Sequence, residues 1–240
     1  MSGRPSKLVF VCLVCILFAA CHSGDSLRDG DRIVFFGDSI TQLGVNPGGY
    51  VTLVDQAIGL TGKDIEVIGA GISGHKVPDL QERLERDVLS RDPTIVFVYI
   101  GINDVWHWEL AKTRDHLRGT TPEDFKSGLL DIIGRMQDYD IRVILCTPTI
   151  VGEQKGGVNQ LDPMLDRYAD ISRKVAQSAE IQLLDLRKAF VNYLETNNTE
   201  DAHQHILTYD GVHLNDRGNQ FLASLILESL GVSQTERGRE

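Results

Sequence analysis

The chain has 240 residues, of which 42% are hydrophobic and 24% are charged, a length and composition typical of one globular domain with a sizeable core. Its formal net charge of −10 argues against binding to nucleic acid, whose phosphates require a basic surface. The same acidic balance argues against direct adsorption onto anionic lipid. We therefore expect neither nucleic acid nor a bare membrane surface as a partner.

The N-terminal residues differ in composition from the rest of the chain. Arg4 and Lys7 precede an uninterrupted apolar run, LVFVCLVCILFAA, at 8–20. The run is too short to cross a bilayer comfortably and has no polar face, a pattern typical of a secretory signal peptide. Residues 1–20 are therefore the predicted signal peptide.

The junction FAAC at 18–21 resembles the lipobox of bacterial lipoproteins, in which the signal is cleaved before a cysteine that then receives lipid. Cys21 is the predicted lipid anchor, and residues 21–31 form the predicted polar tether. Phe18 stands where lipoboxes usually carry Leu, so secretion of a soluble protein remains the alternative. We expect an exported protein, attached to a membrane only through Cys21 and facing the periplasm or the cell exterior.

The cysteine count restricts disulfide formation. Of four cysteines, Cys12 and Cys15 lie in the predicted signal peptide and Cys21 is the predicted anchor, which leaves Cys146. No intrachain disulfide is then possible in the mature domain. Cys146 lies in the apolar run VILCTP and is predicted to be a small core residue.

Short apolar runs alternate with longer helical patterns over 32–231, which indicates one domain followed by a polar tail at 232–240. The predicted strands lie at 32–37, 64–69, 94–101, 141–146 and 181–186. Helices are predicted near 49–60, 78–89, 121–138, 163–179, 187–195 and 215–230. The strands are almost continuously apolar, as expected for parallel strands covered by helices on both faces. The pattern predicts a doubly wound α/β sheet.

Unusual residues follow these strands at the edge of the sheet where ligands bind in such folds. The first three strands are followed by GDS, GAGISGHK and GIND, which contain Ser39, Gly74 and Asn103. A further segment, DGVHLN, contains Asp210 and His213 and precedes the last helix. A serine, a histidine and a nearby carboxylate are the components of an activated-serine hydrolase.

At these four places the sequence resembles the SGNH hydrolases, also called the GDSL esterase/lipase family, whose blocks supply Ser, Gly, Asn and His in that order. The matching blocks are GDS, GISG, GIND and Asp-x-x-His, with Ile40 where many members have Leu. The resemblance covers roughly 32–231. It implies a flavodoxin-like three-layer α/β/α sandwich with five parallel strands in the order 2-1-3-4-5, and a serine esterase without a cofactor.

The residues can be given chemical roles. Serine is a poor nucleophile at its own pKa, so Ser39 needs His213 as an adjacent base. Asp210, three residues before the histidine, can fix the tautomer and orientation of the ring. The backbone amides of Ser39 and Gly74 and the side-chain amide of Asn103 are the predicted oxyanion donors.

Other polar residues near these blocks are expected to have structural roles. Asp38 and Asp104 are predicted to hold the strand-end loops by hydrogen bonding. A metal site built from His203, His205 and His213 is the alternative, but their spacing matches no compact zinc pattern, so no metal is predicted.

The substrate is less well specified. Trp106 and Trp108 lie in a predicted loop after strand three. They could stack on a sugar ring, line an acyl pocket or pack within the loop without contacting substrate. His75 follows Gly74, where relatives often have Asp, Asn or Arg, and could contact substrate or face solvent. The glycine-rich segment 151–160 is expected to be mobile, and either covers the site or connects two elements.

Export favours an ester or acetylated carbohydrate outside the cell, so a short-chain or carbohydrate O-acetyl esterase is predicted. A lipid or lysophospholipid acylhydrolase and a sugar O-acyltransferase of the same fold remain alternatives. A glycan-binding surface lipoprotein without catalytic activity is the non-enzymatic alternative. The sequence leaves open the acyl chain length and the alcohol.

Overall fold

The computed structural model describes residues 27–232. Its five strands are β1 (Arg32–Gly37), β2 (Glu66–Gly71), β3 (Ile95–Tyr99), β4 (Arg142–Cys146) and β5 (Gln182–Leu184). They form one parallel sheet in the order β2-β1-β3-β4-β5. The predicted α/β fold and its strand order are confirmed.

Helices cover this sheet: α1 (Ser39–Gly44), α2 (Tyr50–Gly59), α3 (Val77–Asp87), α4 (Ile102–Leu110), α5 (Pro122–Gln137), α6 (Asp162–Ser178), α7 (Leu186–Asn197) and α8 (Asp216–Ser229). A 3₁₀ turn, Leu89–Arg91, follows α3. Helix α2 packs against α8, and α3 and α6 pack on either side of α5. Phe190 of α7 contacts Phe221 of α8. The sheet therefore lies between two helical layers.

The core follows from the apolar strands. All five residues of β3 are buried, and Phe97 in this strand stacks on Phe35 of β1 with ring centroids 4.9 Å apart. Cys146, at the end of β4, is a buried free thiol whose pKa is raised by burial. Its predicted place in the core is confirmed.

The sequence pattern predicts no helix at 39–44 or 102–110, yet α1 and α4 form there. Both begin where a strand ends, and with six and nine residues they carry too few apolar repeats for periodicity to show. Trp106 and Trp108 therefore lie on α4, and the predicted loop at this place is wrong. The two helices matter because they carry Ser39 and Asn103.

The folded domain starts earlier than its predicted boundary. Leu27 is buried, and its carbonyl accepts a hydrogen bond of 2.6 Å from Lys63 Nζ. The Asp29 carboxylate accepts from the Asp64 amide at 3.0 Å. Residues 27–31 thus belong to the domain rather than to the tether, and Val232, assigned to the tail, is buried as well.

Several predictions concern parts of the chain outside residues 27–232. These are the signal peptide, the lipid anchor at Cys21, the first part of the tether and the rest of the tail. Within residues 27–232, no helix has the length and apolar character that crossing a membrane requires.

Candidate active site

Ser39 lies at a sharp strand-to-helix junction. It is the first residue of α1 and follows β1 after Asp38, whose carboxylate caps the helix by accepting from the Ile40 amide at 3.0 Å. A Cβ on Gly37 would come within 2.5 Å of the Tyr99 carbonyl oxygen, so this position of the GDS block requires glycine. The junction presents the serine hydroxyl at the carboxyl edge of the sheet.

The structure brings the predicted serine, histidine and aspartate together. His213 Nε2 lies 3.0 Å from Ser39 Oγ across 174 residues of sequence. His213 Nδ1 lies 2.7 Å from Asp210 Oδ2. Asp210 Oδ1 also accepts from the amides of Val212 (3.0 Å) and His213 (2.8 Å), which closes a tight turn around the carboxylate. This geometry permits proton transfer from the serine hydroxyl to the imidazole.

The environment of Asp210 keeps it ionised. Burial alone would raise its pKa, but the hydrogen bonds from the His213 ring and from the His213 and Val212 amides lower it below its ordinary value. Asp210 therefore acts as an acceptor for the ring nitrogen of His213. The neighbouring Tyr209 stacks on the imidazole, with centroids 5.6 Å apart and planes at 15°, and leaves 48% of its surface exposed. Tyr209 is not among the residues predicted from sequence, although an aromatic residue directly before the Asp-x-x-His block is a usable signal.

Three candidate oxyanion donors lie at the same edge. Gly74 adopts φ +79°, a conformation that favours glycine. Within residues 27–232, the amides of Ser39 and Gly74 donate to no protein acceptor. Asn103, buried in the first turn of α4, donates one Nδ2 hydrogen to the His75 carbonyl oxygen at 3.1 Å. Among the described residues, two backbone N–H groups and the second hydrogen of this amide have no acceptor, which agrees with the predicted oxyanion role without testing it.

Arg83 was not identified from the sequence, although it joins the strand ends behind the site. Its guanidinium donates to the carbonyl oxygens of Gly37 (2.6 Å) and Ala70 (2.8 Å) and to His75 Nδ1 (3.1 Å). An ion pair with Asp87 at 3.0 Å balances the charge. The arginine is only 3% exposed and lies on the buried face of α3, shared with Val77, Leu80 and Leu84. A cation on an apolar helix face was the available signal.

The contact with Arg83 defines the state of His75. Because Nδ1 accepts a hydrogen bond from a guanidinium, it carries no proton. Burial lowers the pKa of His75, and the positive charge of Arg83 contributes to the shift. The ring is therefore neutral with its hydrogen on Nε2. His75 is thus held by Arg83 through one nitrogen, and its role toward substrate stays a prediction.

Two buried acids hold the loops, as expected. Asp38 caps α1, and Asp104 Oδ1 accepts from the Val77 amide at 3.1 Å, which joins α4 to the start of α3. Burial raises the pKa of Asp38 to about 7, with a further contribution from Asp104. Burial likewise raises the pKa of Asp104 to about 6. Within the described part of the chain, Asp104 Oδ2 has no hydrogen-bond partner.

The two tryptophans are packed to different degrees. Trp108 donates from Nε1 to the Thr120 carbonyl oxygen at 3.2 Å, and a Cβ on Gly119 would come within 2.2 Å of its ring. This indole therefore supports the segment after α4. Trp106 is half-buried against the core. A role of either residue in substrate binding stays a prediction.

The segment 151–160 was expected to be mobile, but hydrogen bonds hold it on both sides. The Asn198 side chain donates to the Glu153 carbonyl oxygen at 2.7 Å, and the Asp201 carboxylate accepts from the Lys155 amide at 2.7 Å. The Glu153 side chain is fully buried and points to the segment that carries His213. Glycines in this sequence suggested flexibility, whereas the contacts that oppose it come from residues far along the chain.

The histidines of the alternative metal site do not converge. The ring nitrogens of His213 are both engaged, Nε2 with Ser39 and Nδ1 with Asp210, while His203 and His205 are exposed. Among residues 27–232, no group of three or more His, Cys, Asp or Glu side chains is arranged to hold a metal ion.

A model of the GDSL-like lipase/acylhydrolase family matches residues 35–221, a span that includes every residue of the predicted triad and oxyanion hole. The chain belongs to this family, as the four sequence blocks predicted. It is a carboxylic ester hydrolase of the GDSL/SGNH type.

The relatives include several acetyl esterases. The crystal structure of an acetyl xylan esterase, AlAXEase, is 42% identical with a TM-score of 0.79 and covers 82% of this chain and 98% of its own. An acetylxylan esterase of Geobacillus stearothermophilus is 29% identical over 223 residues, 85% of this chain and 96% of the relative. A human isoamyl acetate-hydrolyzing esterase 1 homolog is 29% identical over 210 residues, 80% of this chain and 78% of the relative.

A more distant relative is named as a lipoprotein. The uncharacterized lipoprotein YqeF of Bacillus subtilis is 25% identical over 238 residues, which is 87% of this chain and 92% of the relative.

Proposed function

We propose that this esterase removes O-acetyl groups from carbohydrate, with acetylated xylan or its oligosaccharides as the substrate class, through a Ser39–His213–Asp210 triad. The observation that carries the mechanism is the continuous contact from Ser39 Oγ to His213 Nε2 (3.0 Å) and from His213 Nδ1 to Asp210 Oδ2 (2.7 Å). The substrate class is supported by the relatives at 42% and 29% identity, both of which are named as acetylxylan esterases.

The reaction begins at the serine. Ser39 Oγ attacks the ester carbonyl carbon while His213 Nε2 takes the hydroxyl proton, and Asp210 stabilises the imidazolium that forms. The carbonyl oxygen becomes an oxyanion that the amides of Ser39 and Gly74 and the side chain of Asn103 stabilise. His213 then gives its proton to the leaving alcohol oxygen, which breaks the ester bond and leaves an acetyl-enzyme. Water, deprotonated by the same histidine, releases acetate and restores Ser39.

An exposed aromatic ring beside the triad supports a sugar as the substrate. Tyr209 presents a half-exposed ring next to His213, and aromatic rings of this kind can stack on the apolar face of a pyranose. Hydrolysis of acetate esters of small alcohols at the same site is a second candidate, favoured by the relative named isoamyl acetate-hydrolyzing esterase 1 homolog.

The location proposed is outside the cytoplasm. The apolar run at 8–20 and Cys21 of the FAAC junction support export and lipid attachment, and a lipoprotein among the relatives agrees with them. The test is Cys21→Ser, which should convert a membrane-associated protein into a soluble or unprocessed one. A wild-type protein that is fully soluble after export, with its mature N-terminus elsewhere, would contradict the anchor.

The substrate proposal is tested with p-nitrophenyl esters from acetate to octanoate alongside acetylated xylan. We expect acetate release from xylan, the highest kcat/KM for the acetate ester among the synthetic esters, and unchanged activity in EDTA. Products that retain the acetyl group on an acceptor sugar would indicate acyl transfer. Preference for octanoate would favour the lipid hydrolase.

The mechanism is tested with Ser39→Ala. Loss of the nucleophile should lower kcat by at least about 10⁴-fold, while Ser127→Ala, an exposed serine on α5, serves as the matched control. A serine-directed phosphonate should label Ser39 alone. Retention of more than a few percent of activity by Ser39→Ala would overturn the serine mechanism, and glycan binding without ester turnover in the wild type would favour the binding protein.

A further inference from the structure

A fully buried carboxylate lies behind the segment that carries Asp210 and His213. Glu153 is 0% exposed and lies in the segment after β4. Its Oε2 accepts from the Ile206 amide at 2.7 Å, and its Oε1 accepts from the amides of Leu207 (2.8 Å) and Thr208 (2.6 Å). One side chain thus receives three consecutive backbone N–H groups, an arrangement that stabilises an anion strongly.

A hydroxyl extends this contact to the residue next to Asp210. Thr208 Oγ1 donates to Glu153 Oε1 at 2.7 Å and accepts from the Gly211 amide at 3.0 Å. The Gly211 carbonyl oxygen in turn accepts from the Gly152 amide at 2.8 Å. The segment after β4 therefore holds Gly211 at both its N–H and its carbonyl group.

The segment that carries Asp210 and His213 has few other contacts of regular structure. These are an isolated bridge between Thr208 and Leu214 and the Asn215 amide before α8, which donates to the Leu207 carbonyl oxygen at 3.0 Å. The Asp210–His213 contact is closed within its own turn, as the amide bonds to Asp210 show. The contact between His213 and Ser39, in contrast, joins two distant parts of the chain, and its length depends on where this turn is held.

From these contacts we infer that Glu153 is a positioning residue for the proposed reaction. It anchors the 206–211 segment to the loop after β4 and thereby places His213 against Ser39. All four donors to its carboxylate are neutral groups. Replacement by glutamine retains the shape but turns one acceptor into an NH₂ group, which faces the Ile206 N–H when the amide oxygen keeps the three donors of Oε1. The turn is then displaced while its internal Asp210–His213 contact stays intact.

The inference rests on the proposed serine mechanism and is tested with Glu153→Gln, with Glu195→Gln as the matched control. Glu195 accepts a single amide, that of Gly156, in the same loop and is exposed. For each variant, kcat and KM for p-nitrophenyl acetate and the rate of Ser39 labelling by a phosphonate are measured well below the unfolding midpoint. Circular dichroism gives the folded fraction.

For Glu153→Gln we expect kcat and the labelling rate to fall together by roughly 10–100-fold, the effect of a small misplacement of reacting groups. KM should stay within about twofold, and the midpoint of the acidic limb of the kcat/KM profile should not move, since Asp210 and His213 remain paired. Glu195→Gln should behave as the wild type.

A purely structural role would give a lower unfolding midpoint with wild-type kcat and labelling rate per folded molecule, and this result would overturn the inference. Should Glu153→Gln not fold, Thr208→Val removes the hydroxyl that donates to Glu153 and accepts from Gly211, and wild-type kcat in that variant overturns it equally. The proposed mechanism fails separately, through activity retained by Ser39→Ala. An inactive Ser39→Ala beside a fully active Glu153→Gln rejects only the role of Glu153.

Discussion

The two halves of the active site differ in how the chain holds them. Ser39 and Asn103 are buried, 9% and 4% exposed, and each lies in the first turn of a helix that directly follows a strand. Asp210 and His213 lie on an irregular segment, and their side chains are 39% and 18% exposed. Ser39 and Asn103 thus lie on helices that begin at the edge of the sheet, whereas the base and its partner belong to a loop.

The comparison shows two ways of achieving the same precision. On the sheet side, strand ends and helix starts fix the backbone, with Arg83 joining the ends of β1 and β2. On the loop side, Asp210 and His213 lie outside the sheet and the helices, and Glu153 supplies acceptors for three consecutive backbone N–H groups. Substitutions can show whether each side fails in its own way.

The largest effect is expected from Asp210→Asn on the loop side. The asparagine amide would face the His213 ring with donors as well as an acceptor, so the imidazole can adopt the wrong tautomer. A buried triad aspartate contributes roughly 10⁴-fold to kcat, and we expect a loss of that size or smaller because Asp210 is partly solvated.

The measurement is kcat with p-nitrophenyl acetate, and Asp201→Asn, an exposed acid that accepts the Lys155 amide, is the control. Full activity of Asp210→Asn would remove this residue from the triad.

A smaller loss is expected on the sheet side, from Asn103→Ala. If its Nδ2 group stabilises charge mainly in the transition state, kcat falls by roughly 10²–10³-fold with little change in KM. Because α4 begins at the end of β3 and is also held by Asp104, the fold should be retained. Asn192→Ala on the exposed side of α7 is the matched control. A fall in binding alone, seen as a higher KM at constant kcat, would assign Asn103 to ground-state contacts instead.

On the sheet side, the free energy of unfolding should also depend on pH through two buried acids. Burial raises the pKa of Asp38 from 3.8 to about 7, so between these values the folded state holds a proton that the unfolded state has lost. The contribution of Asp38 to the free energy of unfolding is fully present below pH 3.8 and declines as pH rises toward 7. Asp104, with a pKa raised to about 6, contributes in the same direction.

In Asp38→Asn the amide oxygen can still accept from the Ile40 amide, but the residue no longer titrates. The unfolding midpoint of the variant relative to the wild type should therefore rise by a few degrees between pH 5 and pH 8, since about 1 kcal/mol shifts the midpoint of such a domain by roughly 2–4 °C. Calorimetry at four pH values measures this difference. Parallel curves for the two proteins would contradict the raised pKa of Asp38.

Much of the fold could be predicted because buried parallel strands leave a strong mark on the sequence. The run RIVFFG coincides with β1, and the other four strands lie within two residues of their predicted starts. The catalytic blocks could be found because Ser39, Asn103 and His213 each sit in a short motif at a strand end or before a helix. Periodicity and motif spacing are local properties, and sequence reports them directly.

The rest could not be predicted because it depends on contacts between distant residues. Glu153 lies more than fifty residues before the amides that it binds, and nothing around it distinguishes it from a surface glutamate. The short helices α1 and α4 depend on caps and strand ends rather than on apolar repeats. Leu27 looked like part of a polar tether because its burial depends on the turn that contains Lys63.

The smallest effect is expected at Tyr209, where the loop side meets the substrate. Its ring stacks on His213 and leaves nearly half of its surface free. If a sugar ring stacks on Tyr209 about as strongly as two aromatic side chains do, by about 0.5–1.5 kcal/mol, Tyr209→Ala should raise KM for acetylated xylooligosaccharides by roughly 2–12-fold. For ethyl acetate, which has no ring to stack, KM and kcat should change by less than about twofold.

Tyr209→Phe keeps the ring and should match the wild type with both substrates. The comparison of substrates separates two roles of the ring. If Tyr209 mainly supports the imidazole, its removal lowers kcat for ethyl acetate and xylooligosaccharides alike, because His213 acts on both. If it mainly binds sugar, only the xylooligosaccharide KM changes. The second result is the expected one, because Asp210 and the amides around it already fix the ring of His213, which leaves the exposed face of Tyr209 available to a substrate.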